Sequence, residues 1–359
     1  MKAVDVMYDV IIVGAGPIGL YTAKLCEEKG IKALVLEEDE AIGKPDHCSG
    51  LISTNLNDFV KIDKSWIDHK VNGAVIYSGG KNKSGISLKK PTTAAYVINR
   101  EMFDHHLSRG LKSKIIMKSK VFSVKINNDF AEVFTDGTEG STSHRAKLVI
   151  GCDGVNSIVA KQLGSRPNEF VKGIILLTKE KNTDDFVEMW FDKNSTKDGF
   201  LWKIPRGKTT EYGMMSSDAN FAELEKYFKI KPSVILKRKA SMIPIGPRKT
   251  YFNRAILIGD AAAQVKPWSG GGVVYGLTCA KIAVDVIKDA LQKNDFSENA
   301  LEIYENRWKN AIGKNIVAGL MFREFYKESS PEEIEKIFNL MKKCNINFLD
   351  MDFPVLGFL

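Results

Sequence analysis

Tyr8–Val13 (YDVIIV) runs directly into Gly14-Ala-Gly16-Pro-Ile-Gly19, and no other stretch of this 359-residue chain restricts its fold as much. A continuous β-branched run reads as a strand buried on both faces. After it, Gly14 permits a tight turn, Gly16 lets the backbone approach a pyrophosphate, and Gly19 lets the following helix pack closely on the strand. That helix carries apolar Leu20, Ala23 and Leu25 and closes at Gly30. A second strand, Lys32–Leu36, ends in Glu37, about twenty residues past the first glycine, where an acid can accept hydrogen bonds from ribose hydroxyls. Strand, glycines, helix, strand and acid together define a dinucleotide-binding unit, in which the helix N-terminus faces the phosphates. The spacing alone leaves NAD and FAD both open.

Composition narrows the class. With 44% hydrophobic and 27% charged residues the chain is an ordinary folded protein, and its length predicts about two domains. No apolar run reaches about 18 residues, so a membrane-spanning helix is not expected. Val10–Ala23 is broken by glycines and Pro17 and lacks a basic flank, so it does not read as a secretory signal; a cytoplasmic protein is expected. The five cysteines (Cys26, Cys48, Cys152, Cys279, Cys344) are scattered, with no CxxC and no zinc spacing, so neither disulfides nor a metal site is expected. The 52 Lys+Arg against 44 Asp+Glu give a net charge of +8, with basic stretches at Lys112–Lys120, Lys226–Lys239 and Arg307–Lys314. Either a solvated basic surface or contact with anionic lipid or a phosphate-bearing substrate accounts for them. No recognition module for nucleic acid accompanies the charge.

Two later segments have the same strand context. Ala255–Gly259 (AILIG) leads into Asp260, followed by Pro267-Trp-Ser-Gly270-Gly271-Gly272 and an apolar helix from Val273 to Leu291. Ala146–Ile150 leads into Gly151-Cys-Asp153-Gly154, and Arg100 opens a helical stretch, Arg100–Leu111. This set resembles FAD enzymes of the p-hydroxybenzoate hydroxylase type. The resemblance implies FAD as cofactor, with Asp260 after Gly259 on the ribityl chain and the helix following Gly270–Gly272 aimed at the flavin N1/O2 edge. It further implies Asp153-Gly154 near the pyrophosphate and Arg100 touching the cofactor. A helix N-terminus there suits the negative charge that reduced flavin carries.

The expected fold is α/β: a Rossmann-like FAD-binding domain (1–70, 98–165 and 246–297) interleaved with a second domain (71–97 and 166–245) and C-terminal helices (298–359). The insertions read as strands with little helix, Ala74–Tyr77, Gly173–Leu177, Val187–Phe191, Phe200–Ile204 and Glu211–Ser216, and predict an antiparallel sheet over the flavin. Val121–Phe134 reads as a hairpin. Ser330-Pro-Glu-Glu333 is a capping box opening a helix with Ile334, Ile337, Phe338 and Met341 on one face.

Cys48-Ser-Gly50, Gly199-Phe200-Leu-Trp202-Lys-Ile204-Pro205 and Ser241-Met-Ile-Pro244 complete a whole-chain resemblance to the geranylgeranyl reductase family, FAD enzymes that saturate isoprenoid double bonds. Members carry a Cys-x-Gly near the flavin and an aromatic-x-Trp-x-(aromatic or aliphatic)-Pro motif in the lipid-binding sheet. The resemblance implies catalytic roles for Cys48 and Gly50, and substrate contacts for Phe200, Trp202, Ile204 and Pro205. Ile204 replaces that family's usual Phe. Flavin halogenases carry Trp-x-Trp-x-Ile-Pro, which residues 200–205 match except at Phe200, so a flavin monooxygenase or halogenase acting on an aromatic molecule is the alternative. The short chain and Cys48-Ser-Gly50 favour the reductase. Its substrate would be an isoprenoid lipid or polyprenyl phosphate, its electron donor NAD(P)H or ferredoxin, and its setting the cytoplasm or an anionic membrane surface. Oligomeric state is left open. His47 is expected to tune the Cys48 thiol, and His69, His105, His106 and His144 are expected on the surface.

Overall fold

In the computed structural model, residues 2–79, 85–138, 140–167, 169–344 and 350–354 are described. Three sheets organise them. The first has eight strands, with Lys2–Val13 between Gly140–Gly151 and Ala33–Leu36, all parallel. Ala255–Leu257 extends it parallel beyond Gly140–Gly151, and Lys114–Ile116 extends it on the other side. Val10 and Ile12 face one apolar cluster while Ile11 and Val13 face another, which is why the run is continuously β-branched. The first cluster holds the helices Pro17–Glu28, Arg100–Ser108, Val273–Lys293 and Glu298–Trp308. The second lies under the hairpin Lys120–Ile126/Ala131–Gly137 and the short helix Ile158–Gln162.

The second sheet has seven strands in the order Ile235–Ile245, Glu169–Thr178, Thr210–Ser216, Phe200–Pro205, Phe186–Trp190, Gly73–Tyr77, Gly85–Lys89. One pairing corrects the expectation of a purely antiparallel sheet. Phe186–Trp190 and Gly73–Tyr77 run parallel, because they enter from separate crossings of the chain. Ile235–Ile245 (ILKRKASMIPI) escaped the sequence reading, its three consecutive cations masking a strand with one buried face. Phe200 and Met215 point to one face of this sheet, Leu201 and Met214 to the other, where the helix Phe221–Phe228 packs.

A third, small sheet joins Leu51–Ser53, Ala95–Ile98 and Ile67–Val71, so Ala95–Val97 pairs beside the cofactor segments and not with the strands of residues 73–89. The C-terminal helices span both halves. Trp308, Ile312 and Ile316 belong to the first core, while Tyr326, Ile334 and Phe338 close over the seven-stranded sheet. The Ser330/Glu333 capping box is formed. No helix among the described residues is long and apolar enough to cross a membrane. His144 is a further correction: it is buried on the strand Gly140–Gly151, and burial lowers its pKa.

Candidate active site

At the first glycine loop the backbone leaves no room for side chains. Gly14 has φ +100°, and a Cβ there would stand 2.5 Å from the Cys152 carbonyl oxygen, where the loop crosses the end of Gly140–Gly151. At Gly16, by contrast, nothing lies within 4 Å, and the helix starting at Pro17 has no side-chain cap, so its N–H groups open into space. Glu37 ties this loop down, accepting from the Ala15 N–H at 2.5 Å and the Asp39 N–H at 2.9 Å.

The opposite edge is built by the other glycines. A Cβ on Gly271 would press on Lys266 Cε at 2.5 Å, and one on Gly272 would press on Asp260 Oδ1 at 2.8 Å. The helix Val273–Lys293 starts there uncapped, and Ser269 Oγ beside it is buried without a partner. Arg248 donates to the Asp260 carbonyl at 3.1 Å, and its Nε is buried and unpartnered. Burial raises the pKa of Asp260, against the pull of Arg100 and Arg248. Asp153 is turned inward: it accepts from Ser157 Oγ at 2.6 Å and the Val159 N–H at 3.1 Å, capping the short helix, and burial raises its pKa too.

These edges bound one cavity of about 1280 Å³. Gly14, Gly16, Glu37, Arg100, Asp153, Gly154, Asp260 and Gly270–Gly272 line it at one end, Cys48 lies on its wall, and Phe200, Trp202 and Ile204 line the sheet side. Phe322, Phe325, Tyr326, Ile337 and Met341 continue the wall from the C-terminal helices. Four expected site residues do not line it. Gly19 packs against the Gly14 carbonyl, and Gly259 (φ +70°) packs against Ile18. Pro205 is buried in its strand, paired with Thr210. Gly50 (φ +72°) passes over the Ile98 carbonyl, where any Cβ would collide, and its N–H points to Cys48 Sγ at 3.3 Å. Gly50 therefore shapes the turn that presents Cys48 and lies off the cavity lining.

Among the charges acting here is Arg100, which lines the same cavity as Cys48 and interacts with it electrostatically. Burial acts to lower the Arg100 pKa, yet Asp104, at 3.0 and 3.1 Å, and Cys48 outweigh it and push it up. Trp202 lies flat over Gly213, where a Cβ would overlap the indole, and donates from Nε1 to Glu211 at 3.0 Å.

Several residues here were invisible to sequence reasoning. Lys239, in the basic stretch Lys226–Lys239, is buried and pairs with Asp46. Burial works to raise the Asp46 pKa, but its bonds to Lys239 and the Cys48 N–H bring it below the usual value. Arg206 pairs with Glu211 at 3.0 Å. Lys266 pairs with Asp352 at 2.8 Å, and Asp352 also accepts from Ser53, from Asn55 at 2.9 Å, and through its carbonyl from Tyr275 at 2.6 Å. Arg206, directly after the Trp202 segment, was the one of these with a positional signal. Asp352 had none, lying some three hundred residues from Ser53.

The profile of the FAD binding domain family matches residues 7–220. The chain belongs to that family. Within that family, the chain is similar to geranylgeranyl reductases. A digeranylgeranylglycerophospholipid reductase of Methanocaldococcus jannaschii is 26% identical, over 94% of this chain and 91% of that protein. One from Methanococcus aeolicus is 29% identical over 95% and 92%. A geranylgeranyl bacteriochlorophyll reductase-like protein from Thermoplasma acidophilum shares the fold with TM-score 0.88, 24% identity and coverage of 96% and 93%. The halogenase CmlS is a more distant fold relative, TM-score 0.70 and 17% identity, over 91% of this chain and 67% of that one.

As in other members of the FAD-binding family, the cofactor is FAD, and the residues present fit it. The open helix start at Gly16 and Pro17 suits a pyrophosphate, and the Cβ-free cradle of Gly270–Gly272, with its orphaned Ser269 hydroxyl, suits a flat ring edge.

Proposed function

We propose that this chain is an FAD-dependent oxidoreductase that reduces carbon–carbon double bonds in geranylgeranyl chains of archaeal-type membrane lipids or their precursors. One observation carries the reading: the cofactor cradle and the apolar wall of the second sheet, Trp202 included, open into the same cavity, which Cys48 also lines. A volume of about 1280 Å³ accommodates a dinucleotide together with a long apolar chain. Reduced FAD supplies the hydride. An unactivated alkene offers no carbonyl to stabilise charge, so the protein's part is to exclude water, fix the alkene and deliver a proton to the neighbouring carbon. Phe200, Trp202 and Ile204 hold the chain by packing. The Cys48 thiol positions the alkene or relays the proton, with Arg100 lining the same cavity.

The protein works at a membrane surface in this reading. Exposed Val317, Met321 and Leu340 support it, as do exposed Lys336 and Lys343, which flank Leu340 on one helix face.

The test is anaerobic incubation of the dithionite-reduced holoprotein with a digeranylgeranylglycerophospholipid, followed by mass spectrometry. A gain of two mass units per double bond is expected. No gain, with oxygen-dependent NAD(P)H consumption on an aromatic substrate, would replace the reading with a monooxygenase or halogenase.

A further inference from the structure

The loop carrying Cys48 is held from below by charged residues of the second sheet, none of which the reaction itself needs. Arg206 is the centre of this arrangement. Its guanidinium donates to the Ser49 carbonyl at 2.5 Å and the Ile98 carbonyl at 2.8 Å, so it fastens the two backbone segments that cross at Gly50. It also pairs with Asp68 at 2.6 Å and with Glu211 at 3.0 Å. The side chains of Arg206 and Glu211 are 8% and 1% exposed, so the pair is desolvated. The second Glu211 oxygen accepts from Trp202 Nε1. One carboxylate thus joins the clamp on the Cys48 loop to the indole in the cavity wall. From the other side, Lys239 donates to the Cys48 carbonyl at 3.2 Å and pairs with Asp46, whose carboxylate accepts from the Cys48 N–H at 3.0 Å.

We infer that Arg206, Glu211 and Lys239 are positioning residues that fix the Cys48 thiol against Trp202 and so decide which double bond of the chain is presented for reduction. The inference rests on the reductase reading proposed above. Buried ion pairs are weak contributors to stability because desolvation offsets their attraction, so we assign this cluster a role in geometry. A fork with four acceptors requires arginine; lysine keeps the charge but cannot span both carbonyls. A shift of about 1 Å in such a support is enough to slow a reaction by about a hundredfold.

The experiment uses holoprotein carrying Cys344→Ser. Among the described cysteines Cys26, Cys152 and Cys279 are buried, so iodoacetamide then reports on Cys48. Arg206→Lys is expected to speed Cys48 alkylation about tenfold and to lower kcat about tenfold with KM little changed, as a misplaced reacting group would. It should also change the ratio of partly to fully reduced lipid. Glu211→Gln, which keeps an acceptor for Trp202, should move the same readouts in the same direction and by less. Lys239→Gln loosens the loop from its other side, and it decides the matter if Arg206→Lys does not fold. Alkylation and product ratio equal to the parent, with only a lower Tm, would overturn the inference, because the clamp would then merely hold the fold. If the parent reduces no geranylgeranyl lipid, the reductase reading fails, and unchanged or faster alkylation still judges the clamp by itself.

Discussion

The two ends of the cavity are made by different means. At the cofactor end, backbone does the work: Gly14 and Gly16, the uncapped helix at Pro17, and the Gly270–Gly272 cradle present N–H groups and bare main chain. At the substrate end, side chains do it. Phe200, Trp202 and Ile204 form a wall, and Arg206, Glu211, Lys239 and Asp46 hold the Cys48 loop against it. A surface made of backbone must be written in consecutive residues, since only contiguous glycines and a helix start can form it. A surface made of side chains can draw on residues from anywhere in the chain. Each piece of the cofactor end is therefore a short contiguous motif, although the pieces lie far apart in the chain, whereas the substrate end is assembled from single side chains.

Four measurements would break or sharpen that contrast. The largest effect is expected for Gly14→Val, which forces a β-branched residue into φ +100° and against the Cys152 carbonyl. The purified protein should carry no FAD, as read from its absorbance; normal flavin content would mean that backbone fit does not govern this end. Cys48→Ala should retain FAD and lose about a hundredfold in lipid reduction, the scale of a missing proton donor. Full activity would reduce Cys48 to a small buried wall residue.

Asp352→Asn comes next, because it leaves the buried Lys266 ammonium without a charged partner, the Met351 carbonyl at 3.2 Å remaining. Breaking such a pair costs about 3 kcal/mol, readable by urea denaturation. Burial acts to raise the Asp352 pKa, but Lys266, Ser53 and Asn55 bring it below the ordinary 3.8. A depressed folded-state pKa gives stability that is complete above the unfolded value and is lost as pH falls through the folded one. The difference between parent and variant should accordingly be full near neutrality and close as the pH falls below 3.8. A constant difference across that range would assign the effect to packing. The smallest effect is expected for Val317→Ser/Met321→Ser/Leu340→Ser, three exposed positions outside the cavity lining. Binding to anionic vesicles should weaken about fivefold, for loss of apolar anchoring. Unchanged sedimentation with vesicles would remove this surface from the membrane.

Legibility followed the same division. The run Tyr8–Gly19, the strand into Asp260 and the Gly270–Gly272 segment could be read directly, each being a local pattern with a local cause. Gly50 was expected to be catalytic, whereas its position off the cavity lining and over the Ile98 carbonyl, which is distant in sequence, could not be read locally. His47 was expected beside the thiol on adjacency alone, whereas Arg100, brought in by a different helix, lines the same cavity as Cys48 and interacts with it electrostatically. Lys239 read as one cation in a basic run, and only strand pairing with Glu169–Thr178 shows that its side chain faces inward.

By itself, then, the sequence determined the α/β class, the dinucleotide unit and, through its motifs, FAD and the likeness to the reductases, because glycine geometry and β-branched runs act over a few residues. Tertiary structure alone decided which side chains surround Cys48 and Trp202. Buried ion pairs such as Arg206–Glu211, Lys239–Asp46 and Lys266–Asp352 form only once separate strands and the 350–354 segment have packed together, and a charged residue carries no local mark of whether it will meet water or a partner.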